Sequence, residues 1–158
     1  MKGDPKVIDI LNAAIKEELT AISQYIIHSE MQNNWAYTRL GNFIKKQAID
    51  EMKHLDGLVE RILFLDGTPR LDVMPTPKIG ATVKEQFQND LEGELRAVKM
   101  YNEAVALCAS AGDNGSRALF ERMVKDEEKH TDWLEAQLGM IQQIGADNYL
   151  ARQVEKED

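Results

Sequence analysis

A chain of 158 residues with a formal net charge of −8 and an isoelectric point near 4.9 is long enough to bury a core as one domain. It carries no basic stripe to neutralise phosphates, which excludes nucleic acid as a partner. Four prolines and ten glycines are all that interrupt a composition rich in Leu, Ala, Glu, Lys, Gln and Met, so residues 1–158 are expected to form one all-α domain.

The opening Met1-Lys2-Gly3-Asp4-Pro5 lacks an apolar signal region, and no apolar run approaches the roughly 20 residues of a membrane span. A single cysteine, Cys108, has no partner for an internal disulfide and sits at an apolar helix position, where it reads as a small core hydrophobe. A cytoplasmic protein without membrane attachment is expected.

Asp4 before Pro5 predicts a helix start. From there Ile8, Leu11, Ile15, Glu18, Ile22 and Tyr25 recur at steps of three and four, the inward stripe of a first helix reaching Asn33 or Asn34. The second helix is expected from Thr38 to Leu65, with Leu40, Ile44, Gln47, Glu51, His54, Leu58 and Ile62 inward. Met52, with Ile49 and Leu55, forms a second apolar strip about 100° round from Glu51, and the simplest cover for such a strip is another subunit.

Between Asp66 and Ala81 lie three of the four prolines, which leaves a long connector without helix. At about 3.3 Å per residue it reaches roughly 50 Å, enough to cross a 28-residue helix of roughly 42 Å, and so to leave the second and third helices parallel. A third helix over Thr82 to Ser110 turns Val83, Phe87, Leu91, Glu94, Val98, Tyr101, Val105 and Cys108 inward. After the turn at Ala111 to Gly115, a fourth aligns Phe120, Met123, Glu127, His130, Leu134 and Ile141 and stops at Gly145. Asp147 to Val154 reads as a short fifth helix and Glu155 to Asp158 as a frayed charged end.

Two stretches carry the chemistry. Asp50-Glu51-Met52-Lys53-His54 and Asp126-Glu127-Glu128-Lys129-His130 each hold Glu-x-x-His, which places carboxylate and imidazole on one helix face. Glu18 precedes Glu51 by 33 residues, Glu94 precedes Glu127 by 33, and the second set is displaced from the first by 76 throughout. All six residues occupy slots where their stripes call for hydrophobes, and ionised carboxylates buried there need partners. Four carboxylates and two imidazoles balance two divalent ions. The absence of cysteine ligands argues against structural zinc, and the donor mix suits iron or manganese, although zinc can occupy such a site as an inhibitor. Tyr25 is either plain packing or a hydrogen-bonding support for this cluster, and His28 falls outside the pattern and reads as an ordinary solvated side chain.

One lone glutamate from each of two helices and one Glu-x-x-His from each of the other two is the ligand scheme by which ferritin-like di-iron proteins are recognised. More narrowly, the chain resembles the bacterioferritin family over essentially its whole length: in Met1-Lys2-Gly3-Asp4, Ile49-Asp50-Glu51-Met52-Lys53-His54, Glu60-Arg61-Ile62-Leu63-Phe64-Leu65, Asp126-Glu127-Glu128-Lys129-His130, and Gly145 with Asn148-Tyr149-Leu150. The resemblance implies a ferritin-like four-helix bundle with one long crossover and a short fifth helix. It further implies a ferroxidase that binds two iron ions per subunit at Glu18, Glu51, His54, Glu94, Glu127 and His130, with Glu51 and Glu127 bridging.

By the same resemblance, dioxygen or hydrogen peroxide is the oxidant, and the ferric product is stored as mineral inside a homo-oligomeric cage of 24 subunits built from dimers. Haem b is shared between two subunits through Met52, and an electron-donor ferredoxin serves iron release. One departure concerns a cavity-facing histidine and aspartate pair found in some members, because this chain has Lys46 at the histidine position beside a retained Asp50. The competing readings fit less well. Rubrerythrin-like chains add a cysteine-rich iron domain, oxygenases are larger, DNA-protecting mini-ferritins place their ligands between subunits, and a shell without activity has no need of all six ligands.

Overall fold

The computed structural model describes residues 1–154; the charged end expected at Glu155 to Asp158 lies outside them. Helices α1 (Pro5–Asn34), α2 (Thr38–Phe64), α3 (Val83–Ser110), α4 (Asn114–Ile144) and α5 (Ala146–Ala151) make up the fold, and the described residues contain no strand. The chain is an all-α, ferritin-like four-helix bundle with one long crossover. α1 pairs with α2 and α3 with α4, each as an antiparallel couple joined by a tight turn.

Local chemistry sets the helix starts. The Asp4 carboxylate accepts the Lys6 N–H at 2.7 Å with Pro5 at the first helical position. The Thr82 hydroxyl accepts the Glu85 N–H at 3.2 Å, while the Glu85 carboxylate accepts the Ala81 N–H at 2.9 Å, so α3 begins one residue later than expected with Thr82 as its cap. Leu65 likewise caps α2. α5 is shorter than the expected Asp147 to Val154, because the Arg152 and Gln153 N–H groups bond carbonyls three residues back and tighten the chain into a turn.

The connector is tied to α1 along its whole length. Asn12 donates to the Thr68 carbonyl at 3.2 Å and accepts the Arg70 N–H at 2.6 Å; Lys16 pairs with Asp72 at 2.7 Å; the Thr20 hydroxyl reaches the Pro75 carbonyl at 3.3 Å. Gln24 then accepts the Lys78 N–H at 2.8 Å, and His28 Nε2 accepts the Gly80 N–H at 3.1 Å. The ladder ends with Gln32 donating to Gln86 of α3 at 2.9 Å. These α1 residues recur every four positions, one row along the helix. These bonds give the connector's backbone groups partners on α1 in place of water. It therefore runs parallel to α1, and α3 starts where α1 ends, which leaves α2 and α3 pointing the same way. Gly80 is required here, since a Cβ would collide with the Gln86 backbone.

The core has two parts. Val7, Leu11, Ile15, Leu58, Ile62, Leu65, Tyr101, Phe120 and Met123 pack one end. Tyr25, Leu40, Ile44, Phe87, Leu134, Ile141 and the α5 residue Tyr149 pack the other. Cys108 is fully buried, as expected. Two stripes are rotated slightly from their expected setting: Val7 is buried in place of Ile8, and Ala97 and Ala104 in place of Val98 and Val105, which are half-buried.

Asp113 anchors α4. Its carboxylate accepts the Ser116 N–H at 2.9 Å and hydroxyl at 2.8 Å and pairs with Arg61 of α2 at 2.6 Å. Burial works to raise this carboxyl, but the Ser116 bonds and Arg61 outweigh it and hold it below the usual range. A carboxyl lowered by folding adds stability above its unfolded value of about 3.9 and loses it as the pH falls through the folded value. Asp113→Ala is therefore expected to lower the unfolding free energy by about 1–2 kcal/mol at pH 7. The gap between variant and wild type should close as the medium is acidified below about pH 3.9, as urea unfolding of the two proteins across that range would measure.

Candidate metal centre

Between the two apolar clusters lies a layer contributed by all four long helices. Glu18 of α1, Glu51 of α2, Glu94 of α3 and Glu127 of α4 are buried, with His54 and His130 only marginally more accessible. Each follows from its stripe: Glu18 stands between Ile15 and Ile22, and Glu51 and His54 stand between Ala48 and Leu58. The helices that bury those neighbours carry the acids inward with them.

The donor atoms gather in two overlapping quartets, Glu18–Glu51–His54–Glu127 and Glu51–Glu94–Glu127–His130, each with its ligand atoms within 4.8 Å of one another. Glu51 and Glu127 belong to both. His54 Nδ1 lies 3.0 Å from Glu51 Oε2, 3.0 Å from Glu127 Oε1 and 3.5 Å from Glu18 Oε2. His130 Nδ1 lies 2.9 Å from Glu51 Oε1, 3.2 Å from Glu127 Oε2 and 3.5 Å from Glu94 Oε1. Yet Glu18 Oε2, Glu51 Oε1, both Glu127 oxygens and His130 Nδ1 have no aligned hydrogen-bond partner. Apart from the hydrogen bond between His54 Nδ1 and Glu51 Oε2, these imidazole and carboxylate atoms are close without being aligned as donor and acceptor. Buried polar atoms in that condition are rare and costly, and a cation between them is what satisfies them.

The protonation pattern shows the same demand for positive charge. Burial, reinforced by the Glu51 charge, pushes the Glu18 carboxyl well above its ordinary range, and burial does the same to Glu94 against the opposing pull of His130. Burial alone would raise Glu127 as well, but the imidazoles of His130 and His54 reverse it and hold this carboxyl low. Burial would likewise depress both imidazoles. The carboxylates of Glu127, Glu18 and Glu51 override it at His54, and those of Glu127, Glu51 and Glu94 raise His130 to about 12. Protons thus supply the compensating charge, and a metal ion must displace them to bind.

Two supports come from tyrosines. Tyr25 donates its hydroxyl to Glu94, the hydrogen-bonding alternative left open above, and Tyr101 donates to Glu18. Tyr101 had only been placed on an apolar stripe. Its signal was present in the chain, since it follows Tyr25 by the same 76 residues that relate the ligands. A cavity of about 20 Å³ between α1 and α3, lined among others by Glu18, Glu94, Tyr25 and Tyr101, leaves room for about one water-sized sphere.

His28 is not a solvated side chain. It is 0 % exposed, with Nδ1 2.9 Å from Asp90 and Nε2 bonded to Gly80. The period-four row of polar residues on α1 was the signal that would have placed it. Met52 lies away from the metal ligands, 49 % exposed beside Ile49 at 46 %. Lys46 is exposed, and Asp50 is engaged by Lys53 at 2.8 Å.

Comparison with known proteins gives a consistent result. The family model described as a ferritin-like domain matches residues 8–144. The chain is 41% identical over 156 residues to a bacterioferritin of Mycolicibacterium paratuberculosis, covering 99% of this chain and 98% of that protein. It is 43% identical over 149 residues to the bacterioferritin of Brucella melitensis and 42% identical over 149 to that of Rhodobacter capsulatus, in each case covering 94% of this chain and 92% of the relative.

If the quartets bind divalent ions, Zn(II) at about a hundred times its Kd should add about 2.7 kcal/mol per site to the unfolding free energy of the metal-free protein. Glu51→Ala, which removes a donor from both quartets, should abolish most of that increment. Thermal unfolding after chelation, with and without added Zn(II), measures both.

Proposed function

The chain belongs to the bacterioferritin family of ferritin-like iron-storage proteins, and on that premise we propose that it is a ferroxidase. Fe(II) is its substrate, oxidised at the two quartets and stored as ferric mineral inside a cage of like chains. The observation that carries the reading is the overlap of the quartets at Glu51 and Glu127, whose unpartnered oxygens face both imidazoles.

Glu18 and His54 would hold one iron and Glu94 and His130 the other, with Glu51 and Glu127 shared by both. Two adjacent ferrous ions supply two electrons at once to dioxygen or hydrogen peroxide. The protein's part is charge and position. Four carboxylates offset two divalent cations, which lets a buried site fill without leaving net charge in the core. His54 and His130 release their protons as the metal enters. The Tyr101 and Tyr25 hydroxyls orient the terminal carboxylates, and the apolar clusters on either side limit access of water.

The cage has 24 subunits assembled from dimers in this reading, and a ferredoxin donates the electrons that release stored iron. If haem b binds between two subunits, Met52 would be the residue that holds it. The half-exposed Met52 and Ile49 on the outward face of α2 fit such a group, which supplies a one-electron redox centre of bis-methionine ligation when bound. Iron, rather than manganese or zinc, follows from the family and agrees with the mixed oxygen and imidazole donors.

Metal-free protein titrated anaerobically with Fe(II) and then exposed to oxygen should oxidise two irons per chain in a fast phase. Its particle size should be several hundred kilodaltons, as 24 chains of 17.9 kDa require. Glu51→Ala and His130→Ala should each slow that phase by at least roughly tenfold, the smallest loss typical of even an outer partner of a metal ligand. Unchanged rates would overturn the site assignment. Separately, Met52→Ala should lose the bis-methionine haem spectrum while the wild-type rate of iron oxidation persists.

A further inference from the structure

The doubled pattern extends beyond the six ligands. Asp50 and Lys53 recur 76 residues later as Asp126 and Lys129, just as Tyr25 recurs as Tyr101. The tyrosines exchange across the two halves, Tyr101 to Glu18 and Tyr25 to Glu94. The aspartates do not. Asp126 Oδ2 lies 3.2 Å from His54 Nε2, and its other oxygen is held by Lys129 at 3.0 Å. Asp50, the equivalent residue, is engaged by Lys53, and among the described residues no hydrogen bond reaches His130 Nε2. Around the two histidines the symmetry breaks here.

A histidine that donates Nε2–H to a carboxylate has its ring orientation and tautomer set, and its Nδ1 becomes a better metal donor. His54 meets that condition with Nδ1 directed at Glu51, Glu127 and Glu18. We propose that Asp126 is a positioning residue that makes the two halves unequal, so that the half built on Glu18 and His54 takes a divalent ion first and holds it more tightly than the half built on Glu94 and His130. The inference rests on the metal-centre reading given under Proposed function. Lys129 adds to the effect by keeping Asp126 in place.

Anaerobic titration of the intact, metal-free assembly with Co(II), followed by visible absorption and calorimetry, tests it. Wild type should bind two ions per chain in two resolved steps. Asp126→Ala should weaken the first step by about 10–100-fold and alter its absorption band, leaving the second within about twofold. Asp126→Asn, which keeps an acceptor oxygen without the charge, should fall between, and Asp50→Ala should leave both steps unchanged. Asp126 is part-exposed, so these variants should fold, as circular dichroism and sizing would verify. A single unresolved step in wild type, two unchanged steps in Asp126→Ala, or equal weakening by Asp50→Ala overturns the inference. Fewer than two Co(II) per chain in wild type overturns the centre itself, and is thereby distinguished from failure of the Asp126 role alone.

Discussion

Uncompensated charge buried between two apolar clusters is the constraint around which this bundle is arranged. Each of the four long helices gives up at least one core slot to an acid, and two of them give up a second to an imidazole. Several kcal/mol per unpaired ion would be lost if these groups stood alone. The layer is tolerable because its members are mutually placed: imidazoles face carboxylates, hydroxyls reach the two terminal acids, and positive charge, proton or metal, sits among them. Stability comes from the clusters at either end, which lock the helices and so hold the layer in register. A centre placed at the end of the bundle would lack that second cluster and would be open to water.

The crossover contributes to the same geometry from outside. By following the period-four polar row of α1 it delivers α3 alongside α1 with Glu94 opposite Tyr25. Gln24 and His28, which flank Tyr25 on α1, both reach Asp90, at 2.8 and 2.9 Å, and Asp90 lies one turn before Glu94 on α3. The contacts that bind the connector are therefore the ones that fix the Tyr25–Glu94 register. A segment that looks like a mere linker, broken by prolines, is in effect a template for where α3 begins.

The helix α2 divides its work by face. Glu51 and His54 look into their own bundle, and Met52, a third of a turn away, looks out with Ile49. One helix can carry a buried cluster on one face and exposed apolar side chains on another because successive residues step 100° around it.

Much of this was legible beforehand. Hydrophobic periods located the four helices within a residue or so, the proline-rich gap implied the crossover, and a displacement of 76 identified six acids and imidazoles that the folded chain brings within 4.8 Å in two groups. Periodicity reports which face of a helix turns inward, and the ligands all lay on that face. It does not report what a facing helix presents there. The row Asn12, Thr20, Gln24, His28 and Gln32, the exchange of Tyr25 and Tyr101, the burial of His28, and the unequal contacts of Asp50 and Asp126 all depend on how far neighbouring helices are rotated and shifted against one another. So the amino-acid sequence alone determined the helices and the chemistry they carry inward, while only the tertiary structure decided which partner each polar group meets, because hydrogen bonds across helices are settled by ångström-scale offsets that no one-dimensional pattern records.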